Sequence, residues 1–238
     1  MIIKETNPTD KYEIVQEIAQ QSDTYSGGFI TNDFSWICEG NDYGNLYFFE
    51  YDAGLGSYSY SYSITGLGGR VSYLSISSDY HFLVVSIIST DFFIYRYASN
   101  TYTLNQTISF SVSFERRSKI TNDGQHIVTL AKSSSSAYYA YIYYFNNVTD
   151  KFSYAGSGVF ESSLIYLASL SEDKKYLAVS TASRTKIYST PFSGITLEQT
   201  ISDSSRRHAW SADGKYLIFA KQHEAYVYVN CNNNGDSG

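Results

Sequence analysis

Apolar and polar residues alternate along most of the chain in short runs of strand period, and no stretch sustains the spacing of an amphipathic helix. Five of these runs resemble one another: FITNDFSWICE, LSISSDYHFLVVS, KITNDGQHIVTLA, ASLSEDKKYLAVS and AWSADGKYLIFAK. They align on Asp33, Asp79, Asp123, Asp173 and Asp213, at intervals of 46, 44, 50 and 40 residues. Two positions before each aspartate stands a hydroxyl residue: Thr31, Ser77, Thr121, Ser171 or Ser211. Three before stand Ile30, Ile76, Ile120, Leu170 and Trp210, and four after stand Ile37, Leu83, Ile127, Leu177 and Leu217. Each run predicts a hairpin in which an apolar strand ends at Ser/Thr-x-Asp, the aspartate makes the turn and a second apolar strand leaves. The carboxylate can accept N–H groups two residues on, and Gly124 or Gly214 suits a turn that demands positive φ.

A second column follows downstream, in LYFFEY, FFIYRY, AYIYYF, TKIYST and AYVYVN, aligned on Phe49, Tyr95, Tyr143, Tyr188 and Tyr228. It predicts a third strand. A fourth ends at Ile64, Ile108, Phe160 and Ile201. Four short strands within 40 to 50 residues make one blade of a β-propeller, and such a sheet must stack on its neighbours to bury both faces. The expected fold is therefore all-β, with five four-stranded antiparallel blades at about residues 26–64, 71–108, 114–160, 164–201 and 206–229 of a single domain, 1–230. The last blade stops after its third strand. YEIVQEI (Tyr12 to Ile18) matches the fourth strands YTLNQTI and ITLEQTI, so residues 12–18 are expected to complete that blade and close the ring. The alternative is that the chain is part of a seven- or eight-bladed propeller. Residues 231–238 read as a disordered tail or linker.

SADGKYLIFA and SEDKKYLAVS, each followed by a tyrosine-bearing strand, resemble the repeats of WD-repeat and YVTN-type propellers over almost the whole chain. The Ser-Pro-Asp-Gly turn of that superfamily appears here as SSDY, TNDG, SEDK and SADG. Its Trp-Asp ending is replaced by Phe49-Glu50, Tyr95-Arg96, Tyr143-Tyr144, Tyr188-Ser189 and Tyr228-Val229, and its Gly-His pair is absent. Stability is then expected to rest on aromatic packing. The resemblance also implies that the rim of the central channel is a partner-binding surface.

Composition narrows the functional classes. A 43% hydrophobic and 17% charged chain is globular, and 25 Tyr with 14 Phe favour strands. A net charge of −6 argues against a nucleic-acid partner. No run of apolar residues is long enough to span a membrane, and the N-terminus carries no secretory h-region. A cytoplasmic location is expected, or an extracellular one if the chain belongs to a longer secreted or membrane-anchored protein. Cys38 and Cys231 make neither a disulfide framework nor a metal motif.

Candidate chemistry concentrates at the entrance to the first strand of each blade. Arg116-Arg117 and Arg206-Arg207 stand seven and six residues before Asp123 and Asp213, with Tyr73 and Tyr166 at matching places in other blades. Arginine forks bind carboxylates and phosphates in bidentate fashion, so these six residues form the expected binding site for a protein or peptide partner, acidic or phosphorylated. Among the histidines, His126 occupies a packing column, and His208 lies in an inner strand facing either channel or core. Turn chemistry accounts for the repeated aspartates. Ser57 to Ser63 (SYSYSYS) alternates strictly, predicting an all-tyrosine face, and Asn105-Gln106-Thr107 and Asn147-Val148-Thr149 fit the glycosylation triplet. No catalytic constellation, metal site or cofactor motif is apparent. The reading is a non-catalytic interaction scaffold. An extracellular ligand- or carbohydrate-binding module and a propeller hydrolase are the alternatives.

Overall fold

The computed structural model describes residues 2–5, 12–16, 25–114, 117–134, 137–171, 173–189, 195–202, 207–211, 213–220 and 225–229. Every regular element among them is a β-strand. Contacts divide the chain into two units, Met1–Val71 and Ser72–Gly238.

The first unit holds an antiparallel hairpin, β1 (Ile2–Glu5) and β2 (Tyr12–Gln16), and a four-stranded sheet. That sheet is blade 1: β3 (Tyr25–Ile30), β4 (Trp36–Asn41), β5 (Leu46–Asp52) and β6 (Ser57–Ile64), paired in sequence order. Tyr12–Gln16, within the strand expected to complete the last blade, pairs with β1. The tyrosine face predicted for β6 is broken. Phe48 faces Tyr62 and Phe49 faces Tyr60, leaving Ser61 as the extra residue of a bulge. Tyr58 is buried, Tyr62 stacks on Phe48 at 4.4 Å, and Tyr60 is 53% exposed.

The second unit begins one residue into β7 and holds the other blades. Blade 2 is β7 (Val71–Ile76), β8 (Phe82–Ile87), β9 (Ser89–Ala98) and β10 (Thr101–Phe114). Blade 3 is β11 (Ser118–Ile120), β12 (His126–Ser134), β13 (Ala137–Asn146) and β14 (Lys151–Glu161). Blade 4 is β15 (Ile165–Leu170), β16 (Tyr176–Thr181), β17 (Thr185–Ser189) and β18 (Thr196–Ile201). Blade 5 shows three strands among the described residues, β19 (Arg207–Trp210), β20 (Tyr216–Ala220) and β21 (Ala225–Val229).

All five first hairpins close by the same turn. The hydroxyl of Thr31, Ser77, Thr121, Ser171 or Ser211 accepts the N–H five residues on, at 2.9–3.0 Å. The aspartate Oδ1 accepts the N–H two residues on, at 3.0–3.1 Å, and in blades 2 to 5 the hydroxyl donates to it at 2.6–2.7 Å, as the Thr31 hydroxyl also does to Asp33 in blade 1. The residue after the aspartate is left-handed in every copy: Phe34, Tyr80, Gly124, Lys174 and Gly214, with φ between 59° and 69°.

Blades stack through shared cores. Phe82, Val84, Phe92 and Ile94 of blade 2 pack with Ile120, Ile127, Tyr143 and Phe152 of blade 3. Val128 and Ile142 of blade 3 pack with Ile165, Leu177 and Val179 of blade 4. Ala178 of blade 4 packs with Leu217 and Phe219 of blade 5. β8 (FLVVSI) is buried at every position, Ser86 included.

Candidate functional site

The first strands of blades 2 to 5 neighbour one another in order. Ile120 N–H donates to Ser75 Oγ at 3.1 Å, joining β11 to β7. Trp210 Nε1 donates to the Ser169 carbonyl at 3.2 Å, joining β19 to β15. Between β11 and β15 lies a small recess lined by Lys119, Ile120, Thr121, Val128 and Leu170. This row carries the expected binding residues. Tyr73 and Tyr166 are half-buried on β7 and β15, Arg117 is exposed just before β11, and Arg207 opens β19. Arg116 and Arg206 lie outside the described residues, as does the side chain of Arg207.

Lys119 is the residue that the arginine pattern passed over. It is half-buried on β11, and among the described residues no carboxylate pairs with it. A signal for it exists in the repeat: the position four before the aspartate reads Phe29, Ser75, Lys119, Ser169 and Ala209, with one charge in five. An unpaired, partly desolvated ammonium favours an anionic ligand.

His208 sits next to this charge. Burial pulls its pKa down to about 3 and the Lys119 ammonium pulls in the same direction, so the ring is neutral. Its Nδ1 shares a 2.7 Å hydrogen bond with Ser180 Oγ, which lies 2.9 Å from Thr185 Oγ1. Nε2 is buried and has no hydrogen-bond partner among the described residues. A serine hydroxyl on a neutral imidazole has the contacts of a nucleophile and its base. Ser180 is fully buried, however, so its hydroxyl is closed to a substrate carbonyl arriving from solvent. The pair joins blade 4 to blade 5, as Ser86 Oγ, accepting Ser118 N–H at 2.8 Å, joins blade 2 to blade 3. His126 is buried as expected.

The other charge clusters are internally matched. Glu161, 2% exposed at the end of β14, accepts Tyr188 Oη–H at 2.8 Å and pairs with Lys186 Nζ at 2.6 Å. Arg96 joins His81 Nε2 to Asp150. The five aspartates are taken up by their turns. Asn105 donates its amide toward Asp150 from a half-buried site, whereas Asn147 stands in an exposed turn. Among the described residues no group of three or more His, Cys, Asp or Glu is placed to hold a metal ion.

No protein-family model matches the chain, and no curated protein matches it in sequence. Solved structures do. A protein from Lactobacillus plantarum superposes with a TM-score of 0.67 at 16% identity, over 87% of this chain and 67% of that one. A proposed 6-phosphogluconolactonase from Bacteroides uniformis gives 0.67 at 13% identity, over 88% and 68%. A chain of the mitotic checkpoint complex gives 0.52 at 16% identity, over 89% and 76%. Together with the blade order, these likenesses decide the fold. The chain is a β-propeller. It spans about two thirds of the length of the first and second of these neighbours. The lactonase likeness also corrects the expectation of a non-catalytic scaffold. A proposed hydrolase shares this fold over most of the chain, so the missing catalytic motif does not make the propeller a scaffold.

Proposed function

We propose that the propeller is a hydrolase acting on a small phosphorylated molecule, held by the first strands of blades 3 to 5. The observation that carries this reading is Lys119, a half-buried ammonium with no carboxylate beside it among the described residues. Arg117 and Arg207 flank it in the same row, and the buried neutral His208 adds a nearby ring without adding charge. The fold shared with a proposed 6-phosphogluconolactonase supports a sugar-phosphate lactone or a related phosphate-bearing ester as substrate. In this reading Lys119 is the residue that touches the phosphate, and the arginines steer it. The test is calorimetric titration with 6-phosphogluconate beside a lactone-hydrolysis assay. Binding should weaken about tenfold or more in Lys119→Ala and survive in part in Lys119→Arg. Equal binding by all three proteins, or none at millimolar ligand, would sink the proposal.

A second reading keeps Arg116, Arg117, Arg206, Arg207, Tyr73 and Tyr166 as the contact set for a protein partner with acidic or phosphorylated residues. It draws support from the fold shared with a chain of the mitotic checkpoint complex and from the repeat-level likeness to WD-repeat propellers. Changing the four arginines to alanine should abolish recovery of such a partner. It should leave sugar-phosphate binding at Lys119 weakened but present.

A further inference from the structure

The shared register of the first hairpins decides where the backbone of each first strand points. In blade 3 Thr121 N–H donates to the His126 carbonyl, and in blade 4 Ser171 N–H donates to the Tyr176 carbonyl. The next pairs along, Ile120 with Ile127 and Leu170 with Leu177, are therefore pairs without mutual hydrogen bonds. β11 and β15 are the edge strands of their sheets. The N–H groups of Ile120 and Leu170 thus point away from their own blades, across that edge.

Blade 2 shows what such a group meets. Ser75, four before its aspartate, turns its Oγ to the next blade and accepts Ile120 N–H at 3.1 Å. Lys119 holds the same place in blade 3, and Leu170 holds the place of Ile120 in blade 4. Both line the recess between β11 and β15. A serine hydroxyl can accept a hydrogen bond, whereas an ammonium only donates. At this seam a half-buried cation and an outward N–H therefore meet as two donors, beside the buried side chains of Val128 and Leu170. Two donors on one recess call for an acceptor from outside, and an anionic one also answers the charge.

We infer that one oxygen of a phosphate group bridges Lys119 Nζ and Leu170 N–H, so that the main chain of Leu170 is a second donor to the ligand. The inference rests on the reading of Lys119 as the phosphate-binding residue and adds the partner that orients the phosphate. It also explains why a lysine suits this place. A serine, as in blade 2, would satisfy Leu170 from within the protein and leave the recess without a cation. A bound phosphate would join the first strands of blades 3 and 4 as Ser75 joins those of blades 2 and 3.

The probe is inorganic phosphate, titrated into the isotope-labelled full chain while the Leu170 amide is followed by NMR and hydrogen exchange. The Leu170 amide proton should move downfield, and its exchange should slow about tenfold or more. Lys119→Ser puts the blade 2 arrangement into this seam. Phosphate affinity should then fall about tenfold or more, and the Leu170 amide should be protected with no phosphate added. Lys119→Ala should lose the phosphate response without gaining that protection. Phosphate binding that depends on Lys119 but leaves the Leu170 amide unmoved overturns the inference and leaves the hydrolase reading standing. A responding Leu170 amide with no lactone hydrolysis supports the inference and sinks that reading. The inference is also overturned if Lys119→Ser binds phosphate as well as the parent, or if millimolar phosphate does not bind. Acetate binding as tightly as phosphate would make the recess a carboxylate site and overturn it too.

Discussion

Three of the five turns place a residue with a side chain where glycine is favoured. Phe34 has φ of 59°, Tyr80 of 61° and Lys174 of 60°. The left-handed conformation costs a non-glycine residue roughly 1 kcal/mol. Phe34 is 63% exposed, so little packing offsets that cost. Phe34→Gly should therefore stabilise the protein by about 0.5–1 kcal/mol, seen as a higher denaturation midpoint. The matching change in the other direction is Gly214→Ala. A Cβ there keeps φ at 69° and meets the Asp173 carboxylate at 3.2 Å. That variant should lose about 1–2 kcal/mol. A Phe34→Gly protein no more stable than the parent would show that the turn network, rather than glycine, sets the conformation at no cost. The sequence made the turn legible because Ser/Thr-x-Asp has local chemistry. It hid the left-handed residue in three copies, because Phe, Tyr and Lys do not advertise positive φ.

At the scale of the element, the fourth strand is what the sequence described least well. Its pairing is bulged, so the strict alternation of SYSYSYS does not translate into two faces. The column that does hold is aromatic. Tyr58 packs on Tyr51 at 5.1 Å, Tyr102 on Tyr97 at 5.2 Å and Phe152 on Phe145 at 5.2 Å. Aromatic cross-strand pairs hold the outer edge of these blades, and in blade 2 Gln106 adds two bonds to blade 3, donating Nε2–H to the Phe152 carbonyl at 3.0 Å and accepting Phe152 N–H at 2.8 Å. Gln106→Leu leaves the Phe152 N–H and carbonyl without their bonds at the junction of blades 2 and 3. The expected loss is about 1–3 kcal/mol, with faster exchange at the Phe152 amide. Gln199→Leu, changing an exposed side chain with no described partner, should leave stability in the isolated chain within about 0.5 kcal/mol. Equal effects of the two changes would mean that the Gln106 bonds to Phe152 contribute nothing. The same limit explains the candidate site. Arginine pairs recur at matched offsets in two blades, whereas Lys119 gains its meaning from half-burial and from pairing with no carboxylate among the described residues, which spacing does not reveal.

For the whole molecule, the buried histidines and the turn aspartates set how the propeller responds to acid. His208 has a folded pKa of about 3 against an ordinary value of 6.5, and burial likewise lowers that of His126. A histidine depressed in the folded state binds its proton more readily when unfolded. The stability it contributes is complete above pH 6.5 and declines as pH falls toward the folded pKa. Asp33, lowered to about 2 by hydrogen bonds from Thr31 and Ser35, loses its contribution later, as pH falls from about 3.8 toward 2. Acid should therefore weaken the propeller in two windows, histidine first. Between pH 6 and 4 His208 adds a slope of up to about 1.4 kcal/mol per pH unit, and His126 adds a slope of the same sign. His208→Gln keeps a hydrogen-bonding partner for Ser180 and removes the titration. Urea midpoints measured from pH 7 to 4 should fall less steeply in His208→Gln and less steeply still with His126→Gln added. Asp33→Asn should leave that window unchanged and flatten the curve below pH 4. Parallel curves for parent and double-histidine variant would place the acid sensitivity elsewhere.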